Sequence, residues 1–121
     1  MDSSQLIQRT KVFALEIIKF FQSLPKTEEA RILGKQLLKS GTSVAANYRA
    51  ACRSRSNQEF YSKLCIVVEE SDETLFWLEL IKDSGISGNA QSITTLMKEA
   101  EELLYIFSAS RKTTKNRLTN K

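Results

Sequence analysis

Apolar side chains recur every three or four residues through four long segments of this 121-residue chain, and a single proline interrupts them. This spacing gives each segment one apolar helical stripe, whereas a half-buried strand would need apolar and polar residues in strict alternation. Only four glycines are present to break the segments. The pattern therefore predicts an all-α chain of four helices.

The helix ends carry recognisable capping residues. Pro25 ends the first helix, and Thr27 is the predicted N-cap of the second. Ser56 and Glu59 have the spacing of a capping box at the start of the third helix, and Gly85 suits its left-handed C-terminal position. The predicted helices cover about residues 4–23, 27–53, 57–84 and 88–109.

The fourth helix has weaker terminal signals. Ser87 is its candidate N-cap, with Gly88 and Asn89 in a poor first turn. Residues 110–121 lack an apolar period, so we expect them to form a basic, disordered tail. Short connections make neighbouring helices antiparallel, which predicts an up-down-up-down four-helix bundle over residues 1–109.

Basic and acidic residues occupy different segments. The net charge is +4, residues 30–58 contain no acidic residue, and residues 59–83 are rich in them. The acidic residues of that later segment are Glu59, Glu69, Glu70, Asp72, Glu73, Glu79 and Asp83. The predicted tail adds basic residues without an acid, namely Arg111, Lys112, Lys115, Arg117 and Lys121.

Basic residues of the second helix fall on one side of a helical wheel: Arg31, Lys35, Lys39, Arg49 and Arg53. Three interpretations remain open: a solvated face, pairing with the acidic third helix within or between subunits, and binding of nucleic-acid phosphates. No base-reading motif is present, so nucleic-acid binding should depend on the backbone and weaken with salt. The candidate nucleic-acid surface comprises these five residues with Arg55, Arg111, Lys112, Lys115 and Arg117.

The chain lacks the residue types on which most active sites depend. It contains no histidine, the commonest general base, and no Gly-rich phosphate loop or G-x-S-x-G motif. Carboxylates of the third helix could suggest a di-iron bundle, but those sites combine Glu with histidine. We therefore expect no enzymatic activity, no metal or other cofactor, and no small-molecule substrate.

Two features indicate the compartment. No segment approaches the roughly 18 consecutive apolar residues of a membrane span, and charges interrupt the apolar part of the first 20 residues. Cys52 and Cys65 should lie roughly 10 Å out of register across the predicted turn, too far for a disulfide. The sequence therefore predicts a cytoplasmic protein with reduced thiols, no signal peptide and no membrane partner.

Small and polar residues crowd the predicted contact between the second and third helices. An unpaired buried polar group costs about 1–3 kcal/mol, so these residues should hydrogen-bond one another across the contact. A structural network is favoured over an active site because no nucleophile lies beside a base. The predicted network comprises Ser40, Ser43, Asn47, Glu70, Ser71 and Glu73.

A family resemblance is carried by three stretches: QLLKSGTSVAAN (36–47), ANYRAACRSRS (46–56) and EFYSKLCIVVEESDETLFWLEL (59–80). Together they resemble the four-helix-bundle family first noticed as reading frames within intervening sequences of bacterial 23S rRNA genes. The likeness spans about residues 10–107. One departure is that Tyr48-Arg49-Ala50-Ala51 replaces the acidic residue and glycine that follow the asparagine in many members.

The resemblance implies a closed bundle assembled as a ring-like homopentamer, without enzymatic activity. Relatives include accessory proteins of diversity-generating reverse transcriptases, which bind nucleic acid and the transcriptase. Oligomerisation is independently favoured by the first helix, which carries more apolar residues than one bundle can readily bury. These are Leu6, Ile7, Val12, Phe13, Leu15, Ile17, Ile18, Phe20 and Phe21.

The combined prediction is a cytoplasmic, non-enzymatic, oligomeric bundle that binds RNA or DNA through the second helix and the tail. The alternative is a protein-interaction scaffold that binds no nucleic acid, with its basic stripe paired to the acidic third helix.

Overall fold

The computed structural model describes residues 1–88 and 90–120, and this part of the chain folds into four α-helices without a strand. Consecutive helices pack against each other, the first helix also contacts the fourth, and the other two pairs lie diagonally across the bundle. Short connections make the neighbours antiparallel. The all-α four-helix bundle is thus confirmed. The helices are α1 Ser3–Ser23, α2 Glu28–Ala51, α3 Asn57–Ser84 and α4 Ala90–Thr119.

Three of the predicted helix ends are confirmed. The Thr27 side chain accepts a hydrogen bond from the backbone N–H three residues on, and Ser56 Oγ accepts one from Glu59 N at 3.1 Å. Gly85 has φ +74°, a conformation that favours glycine. The reciprocal half of the predicted capping box is absent, because the Glu59 carboxylate pairs with Lys63 at 3.2 Å.

The start of α1 agrees with the predicted residue 4 within one position, although its N-cap was not predicted from the sequence. Asp2 caps α1 in a complete capping box with Gln5, which begins the helix at Ser3. The N-cap role of Ser87 stays a prediction, because the described part of the last helix begins at Ala90. Asn89, which immediately precedes it, lies outside the described residues.

The fourth helix extends beyond the predicted end of the bundle. Residues 110–119, expected to be a disordered tail, continue α4 as helix, so that expectation is wrong for the described residues. Thr114 is buried there, and its hydroxyl donates to the Ser110 carbonyl at 2.8 Å. The physical reason is length, because an antiparallel partner ending at residue 109 would leave about two turns of the 28-residue α3 uncovered. Lys121 lies outside the described residues.

The core fills the centre of the bundle along its whole length. Each helix contributes one apolar seam to this core. Among its almost completely buried side chains are Phe13 and Ile17 of α1, Leu37 of α2, Leu78 of α3 and Phe107 of α4. The glycine at position 41 lets α1 approach α2 closely, since an added Cβ would lie 3.1 Å from both Cγ atoms of Ile17. This close approach requires glycine or a displaced neighbour.

A cluster of ion pairs joins α1 to α4, which have the smallest contact among the neighbouring helices. Arg9 donates to both carboxylate oxygens of Glu99, from Nε at 2.8 Å and from Nη2 at 2.6 Å. Nη2 also lies 2.9 Å from Glu102 Oε1. The hydrogen bond with Glu99 raises the pKa of the Arg9 guanidinium above its usual range, and this bidentate geometry strengthens the pair.

Two further features concern the thiols and the helix surfaces. Cys52 and Cys65 are free and half-buried. No helix in the described part of the chain is long and apolar enough to cross a membrane.

Candidate nucleic-acid interface

The basic stripe of α2 consists of exposed side chains opposite the buried seam: Arg31, Lys35, Lys39, Arg49 and, just after the helix end, Arg53. Spacings of four residues keep neighbouring members on one side of the helix. A gap of ten residues separates Lys39 from Arg49, which is about 15 Å along the axis. The stripe is therefore divided into two groups.

The second group lies at one end of the bundle with the basic residues of α4. Antiparallel packing places the C-termini of α2 and α4 at the same end as the N-termini of α1 and α3. The helical continuation of α4 thus carries its four basic residues toward the turn between α2 and α3. We call this set the basic end: Arg49, Arg53, Arg55, Arg111, Lys112, Lys115 and Arg117.

The remaining three predicted residues lie apart from the basic end. Arg31, Lys35 and Lys39 occupy the other half of α2, and Arg31 is about 33 Å along the axis from Arg53. The ten residues expected to form one surface therefore divide into a group of seven and a separate group of three.

The charges of the basic end are available to a ligand. Within residues 1–88 and 90–120, ion pairs join Arg9 to Glu99 and Glu102, and Lys63 to Glu59, and none includes a residue of the basic end. Six of its seven side chains are exposed, and Arg111 is half-buried.

A recess opens beside the turn between α2 and α3. Its volume is about 540 Å³, and its lining includes Tyr48, Ser54, Arg55 and Asn57. The hydroxyl oxygen of Ser54 is buried without a hydrogen-bond partner in the described structure. The recess therefore adds polar lining next to an unpaired guanidinium.

The predicted polar network between α2 and α3 is wrong in its bonding pattern. Ser40 Oγ donates to the Leu37 carbonyl at 3.2 Å, and Ser71 Oγ donates to the Val67 carbonyl at 2.8 Å. Asn47 likewise donates to the carbonyl of Ser43, four residues earlier in its own helix. Carbonyls three and four residues back are always within reach on a helix, so these side chains are satisfied without crossing the contact.

The two carboxylates assigned to that network occupy different environments. Glu73 is exposed, whereas Glu70 is half-buried and faces the α2 side of the bundle near Lys39. Burial raises the pKa of Glu70, the nearby charge of Glu73 raises it further, and Lys39 opposes the shift. Lys39 of the basic stripe therefore lies close enough to Glu70 of the acidic helix for their charges to interact.

Ser71→Ala tests the local bonding pattern. We expect the free energy of unfolding to fall by less than about 1 kcal/mol, because the Val67 carbonyl keeps its helical N–H and no buried group loses its only partner. Urea unfolding would measure the change, with Leu78→Ala on the same seam as a control expected to cost about 2–5 kcal/mol. A loss for Ser71→Ala comparable to that for Leu78→Ala would contradict the local bonding pattern and support the predicted cross-helix network.

The structure also reveals a surface that the sequence interpretation missed. Five residues of α3 at alternating spacings of three and four point away from the core: Ile66, Glu69, Glu73, Phe76 and Leu80. We call them the outward stripe. Phe76 is 52% exposed and its ring centroid lies 5.1 Å from that of Trp77. The alternating spacing was visible in the sequence, but the stronger buried seam of the same helix obscured it.

Within 1–88 and 90–120, no group of three or more Cys, Asp or Glu residues is arranged to hold a metal ion.

The fold and the basic end together define a small antiparallel four-helix bundle with strongly segregated surface charge. The chain belongs to the 23S rRNA-intervening sequence protein family, whose model matches residues 2–109. The resemblance noted from the sequence is therefore confirmed. The match stops before the last turns of α4, which carry four residues of the basic end.

A solved structure supports the same fold. It is the crystal structure of a protein of unknown function from the S23 ribosomal protein family of Bacteroides thetaiotaomicron. The TM-score is 0.83 at 27% sequence identity, with 93% of this chain and 99% of that chain covered. No curated protein matches the chain. Neither matching description names an enzymatic activity.

Proposed function

We propose that this protein is a non-enzymatic, cytoplasmic bundle that self-assembles and binds RNA or DNA through its basic end. The observation that carries the proposal is the helical continuation of α4, which brings four basic side chains to the end that holds Arg53 and Arg55. Ion pairs of the described residues do not neutralise this cluster.

The physical basis is release of counterions. Unpaired Lys and Arg side chains hold positive potential that a phosphate backbone can neutralise, and release of condensed counterions from the nucleic acid drives binding. The recess next to Arg55 offers a place for one phosphate group. Phosphate contacts carry no sequence information, so binding should discriminate weakly among sequences.

Salt dependence tests this function. With labelled single-stranded RNA and DNA, we expect affinity to fall about 10- to 100-fold between 50 and 200 mM salt, as for roughly three to five phosphate contacts. Fluorescence anisotropy across a salt series would measure it. Absence of binding at the lowest salt would overturn the proposal.

Charge removal identifies the surface. Arg53→Ala with Arg55→Ala, and separately Lys112→Ala with Lys115→Ala, should weaken binding and reduce its salt dependence. A matched control is Lys19→Ala with Lys98→Ala, which removes two exposed cations outside the basic end. Equal losses in the control and the variants would show that only net charge matters and would reject the basic end as the site.

The alternative function is a protein-interaction scaffold, which the exposed apolar side chains of the outward stripe favour. Family resemblance makes a reverse transcriptase one partner to test. Self-assembly without nucleic-acid binding in the salt series would support the scaffold.

A further inference from the structure

The outward stripe has the form of a helix-packing seam. Its residues follow the alternating three and four spacing by which one helix packs lengthwise against another. Ile66 is 43% exposed and Leu80 is 37% exposed, although both are large apolar side chains. From Ile66 to Leu80 the stripe extends about 21 Å. Glu69 and Glu73 interrupt the apolar positions, so the seam is both apolar and acidic.

The face between α1 and α2 has the opposite charge. It contains two grooves, of about 240 and 510 Å³, with apolar lining from Phe21, Leu24, Ile7, Ala45 and Ala46. Every charged side chain that lines either groove is basic: Lys26, Arg31 and Lys35 in the first, and Lys11 and Arg49 in the second. We call them the basic grooves. Arg31 and Arg49 are about 27 Å apart along α2, which is long enough to receive the outward stripe.

We propose that the outward stripe of one copy packs into the basic grooves of a second copy. This inference rests on the self-assembly in the proposed function and names the surfaces that form it. Charge complementarity favours the outward stripe of a second copy as the occupant of the basic grooves, because every charged side chain beside Glu69 and Glu73 would then be a cation. The same carboxylates repel nucleic-acid phosphates and an anionic membrane from the stripe.

The two faces differ, so the contact is head-to-tail. Each copy then offers one free stripe and one free pair of grooves, and successive copies close into a ring or extend as a chain. This arrangement also gives Arg31 and Lys35, two of the three cations that lie apart from the basic end, a role in assembly, and Arg49 belongs to both surfaces.

Charge reversal on each face tests the docking. Glu69→Lys with Glu73→Lys reverses the stripe, and Lys11→Glu with Lys26→Glu reverses the grooves. All four side chains are exposed and lie outside the basic end, so the fold and RNA binding should persist. Each double variant should raise the concentration for half-assembly at least about tenfold by analytical ultracentrifugation, and the chain carrying all four reversals should recover assembly.

The control reverses two exposed acids elsewhere, Glu16→Lys and Glu101→Lys, and should assemble as the unsubstituted chain does. Assembly that is insensitive to either double variant, or a fourfold variant that does not recover, would overturn head-to-tail docking. Disruption by the Glu69→Lys, Glu73→Lys variant but not by the Lys11→Glu, Lys26→Glu variant would also overturn it. In that case the outward stripe would pack against another α3 or against a different protein. A monomeric unsubstituted chain would reject self-assembly, while anisotropy on the same samples reports RNA binding independently.

Discussion

Phe107→Ala is expected to lower the free energy of unfolding by about 3–5 kcal/mol. The Phe107 side chain is fully buried, and its ring centroid lies 5.1 Å from that of Tyr48. These residues belong to α4 and α2, which otherwise lie diagonally across the bundle. Truncation removes both the transfer free energy of the ring and a contact that spans the core, and the tight surroundings can collapse only partly.

Tyr105→Ala is the matched control for Phe107→Ala. It removes an aromatic ring from the same helix two residues away, but Tyr105 is 76% exposed, so the cost should stay within about 0.5 kcal/mol. Urea unfolding at several protein concentrations would measure both changes and separate assembly from intrinsic stability. A loss below about 1 kcal/mol for Phe107→Ala would contradict the full burial of this ring.

Gly41→Leu is expected to destabilise the protein by about 3 kcal/mol. An added Cβ already lies 3.1 Å from both Cγ atoms of the fully buried Ile17, and leucine adds three further carbons in that direction. The better helix propensity of leucine returns only about 1 kcal/mol. The clash should therefore dominate, and α1 should be displaced from α2.

A second substitution checks the cause of that clash. Ile17→Ala makes room beneath position 41, so the cost of Gly41→Leu with Ile17→Ala should be clearly smaller than the sum of the single costs. Gly88→Leu is the control, because a Cβ there meets nothing within 4 Å. Strict additivity of the pair in urea unfolding would mean that Ile17 is not the obstructing group.

The fold was predictable to a large extent, and the reasons can be traced to particular residues. The apolar spacing defined four helices, and Thr27, Ser56 and Gly85 marked their ends, because caps depend on interactions within a few residues. The end of α4 was not predictable in this way. Residues 110–119 have no apolar period of their own, and their helix matches the length of the neighbouring α3.

The candidate site was predictable only as a set of residue types. The sequence identified the ten basic residues, but helical-wheel reasoning places residues around one helix and not relative to other helices. It therefore placed Arg31, Arg53 and the α4 residues in one candidate surface, and it expected the α4 residues to form a disordered tail. It also assigned cross-helix bonds to Ser40 and Ser71, because a pattern cannot distinguish these from bonds to a carbonyl in the same helix.

The sequence by itself determined the helical class, most helix ends and the segregation of charge, since each depends on local propensity or composition. Only the tertiary structure decided which apolar residues face outward, because four helices leave Phe76 and Leu80 uncovered while they bury Leu78 between them. It also decided which cations share one end. Antiparallel packing and the extended α4 bring Arg53 and Lys115 to that end, although about 60 residues of chain separate them.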